Sequence, residues 1–117
     1  MTLKQAYIAA FCFLKPYWDE TKSEEIVDLL SCMNPFFWAD GNSADPATFD
    51  DWQDCAVKAK IEEPLDAERA FNLMLEFLAF HRDEFAYAPQ WLIGDVANRT
   101  CNSSEWLTCI ADSVKHG

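Results

Sequence analysis

Asp40, Asp45, Asp50, Asp51 and Asp54 place five carboxylates within fifteen residues, with no Lys or Arg among them. Asp19, Glu20, Glu24, Glu25 and Asp28 form a second acidic run, diluted only by Lys22. Carboxylates at this density can act as acid–base pairs, ligate a cation, or present negative charge to a basic partner. The acid–base reading fails on direction, because neighbours such as Asp50-Asp51 and Glu24-Glu25 point to different sides of a helix. The cation reading fails on spacing. Asp40-Gly41-Asn42-Ser43-Ala44-Asp45 is the nearest approach to a calcium loop, yet its glycine stands second instead of sixth and no glutamate falls at position twelve. Two readings remain: a solvated acidic face, or an acidic binding surface centred on Asp40 to Asp54 with Glu24, Glu25 and Asp28 next in line.

Other chemistry-bearing residues are sparse. There is no glycine-rich phosphate loop, no G-x-S-x-G and no H-E-x-x-H, so neither a cofactor nor a small-molecule substrate is expected. Of the two histidines, His81 is flanked by Arg82 and Asp83 and is expected on a helix surface, while His116 sits at the chain end. The five cysteines, Cys12, Cys32, Cys55, Cys101 and Cys109, are odd in number, and no pair has the short gap of a zinc knuckle. In a reducing compartment they serve best as small buried hydrophobes. The expectation is a binding protein and not an enzyme.

Twenty Asp plus Glu against nine Lys plus Arg give a net charge of -11. Such a chain repels phosphate backbones and anionic membranes and is drawn to basic surfaces. Met1 to Gln5 carries no basic region leading into an apolar run, and the apolar stretch from Ala6 to Leu14 is too short to span a bilayer. These features point to the cytoplasm.

The elements that must position these residues are helices. Half of the 117 residues are hydrophobic and only three are glycine, which suits one packed core with few tight turns. Thr2 and Gln5 make a capping box for a first helix whose apolar stripe runs from Leu3 to Leu14, with Pro16 predicting a kink or an end near Lys15. Ser23 caps a short second helix with Glu24 and Glu25 in its first turn. A loop over 34–44 carries Phe36, Phe37 and Trp38. Asp45-Pro46 opens a third helix lined by Phe49, Trp52, Ala56 and Val57, with Cys55 beside them. A fourth, longer helix starts within Pro64 to Asp66 and turns Ala70, Phe71, Met74, Leu75, Phe77 and Leu78 inward. A fifth spans Gln90 to Val96, and Ser103 caps a sixth through Trp106, Leu107, Cys109, Ile110 and Val114.

The order repeats. A shift of 64 residues places Ala6 on Ala70, Tyr7 on Phe71, Phe13 on Phe77 and Leu14 on Leu78, and a shift of 54 places Trp52 on Trp106 and Cys55 on Cys109. The prediction is a single all-α domain of about six helices, built from two degenerate three-helix repeats over approximately 2–60 and 64–116. The loop aromatics either plug this core or leave Phe37 and Trp38 as exposed anchors beside the acids, the usual make-up of an interface hot spot.

Between Leu3 and Lys60 the chain reads L-x-x-A-Y, then Phe13-Leu14, Tyr17-Trp18, Ser23-Glu24-Glu25-Ile26, Leu29-Leu30-Ser31, Asp40-Gly41, Ala44-Asp45-Pro46-Ala47 and Asp51-Trp52. In these features it resembles the small acidic immunity proteins of bacterial contact-dependent growth inhibition systems. The match covers about half of the chain, and the D-P-A and D-W elements are its most specific part. The resemblance implies a cytoplasmic protein that neutralises the toxic C-terminal domain delivered by a neighbouring cell. Many such toxins are nucleases with basic active sites, so the implied partner is a cognate nuclease toxin covered by an acidic face. The alternative is an acidic adaptor or nucleic-acid mimic that binds a housekeeping basic protein.

Overall fold

The computed structural model describes residues 1–21, 24–33, 46–85, 88–99 and 102–116. Among them lie six α-helices and no strand: α1 (Leu3–Thr21), α2 (Glu24–Met33), α3 (Pro46–Ala59), α4 (Ala67–Phe85), α5 (Gln90–Asn98) and α6 (Ser104–His116). They form one all-α domain around a single core. The caps explain several of the boundaries. Thr2 Oγ1 accepts from the Gln5 amide at 3.1 Å while Gln5 Oε1 accepts from the Thr2 amide at 2.8 Å, a reciprocal capping box. Asp66 Oδ1 accepts from the Arg69 amide at 2.8 Å, so α4 starts one residue after the predicted Pro64 to Asp66 window. Ser103 Oγ takes the Trp106 amide at 3.3 Å at the head of α6. Ser23 and Asp45, the predicted caps of α2 and α3, lie outside the described residues, as do Phe36, Phe37 and Trp38.

Pro16 does not end α1. The helix continues to Thr21 with the proline on its exposed side. Tyr17, one residue beyond, is buried, and its hydroxyl donates to Asp95 Oδ2 on α5 at 2.5 Å. Burying that ring against the fold offsets the hydrogen bond that the proline removes, a case of tertiary packing overriding local propensity.

The two long helices, α1 and α4, each receive a tryptophan. Trp52 Nε1 of α3 donates to the Leu3 carbonyl at 3.1 Å, and Trp106 Nε1 of α6 donates to the Ala67 carbonyl at 2.9 Å. Leu3 and Ala67 are 64 positions apart and the tryptophans 54. Each indole closes a triad of edge-on rings. Trp52 meets Tyr7 at 5.4 Å and Phe77 at 5.1 Å; Trp106 meets Phe71 at 5.6 Å and Phe13 at 5.4 Å. The third sides, Tyr7–Phe77 and Phe13–Phe71, both measure 6.2 Å. Each triad thus takes its third ring from the opposite half of the chain. Packing follows the same exchange: α1 packs most extensively against α6, and α4 against α3.

Several apolar positions differ from expectation. Val57 is 77% exposed, Leu107 45% and Val114 51%. At about 100° per residue, Thr48, Trp52, Cys55 and Ala56 form the buried stripe of α3, and Val57 lies well round from it. On α6 the matching stripe is Trp106, Cys109, Ile110 and Ser113, whose buried hydroxyl donates to the Ile110 carbonyl at 2.8 Å. Leu73 is fully buried beside the predicted inward residues of α4.

Truncating either indole leaves a large void and removes a buried donor. Trp52→Ala and Trp106→Ala are each expected to cost about 3–5 kcal/mol, with similar losses because the two sites match. Urea denaturation checks this, and a loss near zero at either position would show that its triad does not hold the halves together.

Candidate functional site

The acids of α3 do not act as one group. Asp50 and Asp54 are exposed and, one turn apart, share a face of the helix. Asp51 turns the other way, towards α4. Its side chain is only 24% exposed, and its Oδ2 lies 4.0 Å from Nε2 of His81. The other acidic run sits on α2, where Glu24 and Asp28 are exposed and also one turn apart. Because α2 packs against α3, the two acidic pairs stand on adjacent helices. Asp40, Asp45, Phe37 and Trp38, and the side chain of Glu25, lie outside the described residues. Asp50, Asp54, Glu24 and Asp28 are thus exposed, which a solvated face and a binding surface both require, while Asp51 is turned towards His81.

His81 corrects the sequence reading. It is 2% exposed, packed with its ring 4.4 Å from Phe77 and 5.4 Å from Phe80. It falls 64 positions after Tyr17, so both long helices carry a polar ring on the aromatic cluster at this level. The signal lay in the sequence, because His81 stands four residues after Phe77 and three after Leu78, on the inward stripe of the fourth helix. Burial pushes its pKa down to about 4, leaving it neutral at pH 7.

A second feature has no counterpart in the sequence reading. A cavity of about 210 Å³ opens between α1 and α6, lined by Cys12, Phe13, Pro16, Tyr17, Glu20, Arg99, Glu105 and Cys109. Arg99 lies over two of its walls, with the guanidinium carbon 5.0 Å from the Tyr17 ring centre and 5.6 Å from that of Phe13. Its Nε is 3.7 Å from Asp95 Oδ2, the same oxygen that accepts from the Tyr17 hydroxyl. Burial raises the Cys12 thiol and pushes Cys109 up to about 12, and Cys55 on α3 up to about 11. All three therefore stay protonated at neutral pH, which is the state of a packing thiol and not of a nucleophile. The residues come from helices far apart in sequence, so no spacing rule could have assembled them.

Among the described residues, no cluster of three or more His, Cys, Asp or Glu is placed to hold a metal ion. Among the same residues, no helix is long and apolar enough to cross a membrane. No family model matches the chain, and no curated protein or solved structure matches it either.

The buried histidine gives a pH dependence of definite sign. Its folded pKa of about 4 lies below the ordinary 6.5, so the unfolded chain binds the proton more readily between those values. The neutral imidazole's contribution is fully present above 6.5 and is lost as pH falls from 6.5 to 4. Asp51, at 4.0 Å, would partly offset the buried charge, so the loss is about 1–3 kcal/mol. Comparing urea midpoints of the native protein and His81→Phe between pH 7 and 4 should show a steeper decline in the native protein. Parallel curves would place the folded histidine at its ordinary pKa.

Proposed function

We propose that this chain is an immunity protein that binds a cognate basic toxin domain, a nuclease, and covers its phosphate-binding surface with an acidic face. The observation that carries the reading is the pairing of exposed acids on adjacent helices, Asp50 and Asp54 on α3 with Glu24 and Asp28 on α2. Such a surface suits an inhibitor that covers a basic nuclease site. The Lys and Arg residues that hold a phosphate backbone accept carboxylates equally well, and complementary fields speed the encounter. The assignment of the partner as a toxin comes from the resemblance of residues 3–60, and with it come the cytoplasmic location and a bacterial source.

The half-burial of Asp51 sharpens the binding determinant. An acid 4.0 Å from a buried histidine is a poor candidate for a mobile surface charge, so the proposed contacts are Asp50 and Asp54, with Glu24 and Asp28 as the second pair. Aromatic anchoring by Phe37 and Trp38, and charge from Asp40, Asp45 and Glu25, complete the proposed interface. We expect it to bury roughly 1,600 Å² in total, the standard size for a specific complex.

The gene immediately upstream is expected to encode a large secreted protein ending in a variable domain. Co-expression of this chain should relieve the toxicity of that domain. Asp50→Lys/Asp54→Lys should weaken binding by about tenfold or more, chiefly through a slower and less salt-sensitive association rate. Both side chains are exposed, so thermal stability should stay within about 0.5 kcal/mol of the native protein. Failure to relieve toxicity would sink the assignment. A stable complex with a housekeeping basic protein, formed in cells lacking any such toxin, would instead favour the adaptor reading.

A further inference from the structure

We propose that the cavity between α1 and α6 is the seat of an arginine side chain presented by a basic protein partner. The inference rests on the preceding reading that this chain binds a basic protein, and it names a chemical determinant of that binding. Size excludes most other occupants. At about 210 Å³ the cavity falls short of the roughly 300–1,000 Å³ of sites that hold cofactors or drug-sized ligands, but one long side chain fits.

Charge decides the sign of the occupant. Arg99 is the one cation among the lining residues, and its Nε lies 3.7 Å from Asp95. Glu20 and Glu105, both exposed, therefore set the net charge of the cavity wall, with the Ser104 hydroxyl 3.4 Å from a Glu105 carboxylate oxygen. Lys15 and Asp112, whose fields both reach Cys12, offset each other. A phosphate or carboxylate would be repelled, and a cation attracted.

The walls distinguish between cations. Phe13 and Tyr17 already carry one guanidinium, that of Arg99, at 5.6 and 5.0 Å, so this chain itself displays the kind of group the aromatic wall accepts. Phe13 is 3% and Tyr17 6% exposed beneath Arg99, so an entering guanidinium takes the place of Arg99 on that wall and turns its planar fork to the two glutamates, which a compact, strongly hydrated ammonium does less well. Cys12, Cys109 and Pro16 supply a neutral, soft lining for the methylene stem. An arginine within a protein, with no carboxylate of its own near the rim, is preferred over the free amino acid, whose α-carboxylate would meet Glu20 and Glu105.

The test uses amide-NMR titration of the full chain with N-acetyl-arginine methylamide, its uncharged citrulline analogue, the lysine analogue and free arginine. Saturable shifts centred on Tyr17, Arg99 and Cys109 are expected with the arginine amide. Binding should be about five-fold or more weaker for the citrulline amide and for the Glu20→Gln/Glu105→Gln variant. The lysine amide and free arginine should fall below the arginine amide. Arg99→Gln, which clears the aromatic wall, should tighten binding. Absence of saturable shifts, an equal response to citrulline, or shifts centred on Asp50 and Asp54 would overturn the proposal. These outcomes are independent of any toxin. Neutralisation of a toxin without arginine binding at the cavity removes only this inference. Arginine binding without neutralisation removes only the toxin assignment and leaves the seat.

Discussion

Two indole hydrogen bonds, Trp52 to the Leu3 carbonyl and Trp106 to the Ala67 carbonyl, fix how the six helices come together. Each bond seats a tryptophan over the first turn of a long helix of its own half. Each indole then meets a phenylalanine from the opposite half, Phe77 or Phe13, in an edge-on contact. Edge-on rings add a directional preference to the area they bury, so the triads set orientation as well as affinity between the halves. Neither half can keep its tryptophan fully covered without the other. One shared core results, and it does not divide into two three-helix units standing side by side.

The same arrangement shapes the electrostatic surface. Nine Lys and Arg cannot balance twenty Asp and Glu, and several of those nine are held close to the fold. Arg99 lies on Phe13 and Tyr17, Lys58 lies 5.8 Å over Phe80, and Arg82 joins Asp83 at 2.8 Å and reaches Gln90 at 2.6 Å. Cations tied to rings or to neighbouring acids do less to screen carboxylates elsewhere. α2 carries no cation of its own, whereas on α3 Lys58 stands one turn after Asp54 and offsets part of its field. Self-repulsion on this scale costs stability, and the aromatic core opposes it.

The halves are alike in packing but not in chemistry. At the level of Tyr17 and His81 each long helix places a polar ring on the aromatic cluster, one donating to Asp95 and the other lying near Asp51. Around Tyr17 the packing leaves an open cavity rimmed by Glu20 and Glu105. Around His81 the corresponding acid, Asp51, is drawn towards a buried imidazole. The two long helices thus carry different local sites at this level, a charge-rimmed cavity beside Tyr17 and a buried imidazole near Asp51.

The sequence alone determined the helices, their order and the residues that cap them, because capping boxes, helix-entry prolines and apolar spacing act over a few neighbouring residues. It also showed the 64- and 54-residue offsets, since the residues that meet in the core are large and aromatic and leave a visible pattern. The acid-rich stretches were legible as composition. Which acids stand free was not, and Asp51 separated from Asp50 and Asp54 only through its approach to His81 on another helix. The continuation of α1 past Pro16 was likewise decided by contacts across the fold. So was the cavity, whose lining comes from α1, α6 and the residue following α5. A short-range code writes helices and caps, whereas burial and sites depend on the angle at which distant helices meet, and here two tryptophans set that angle.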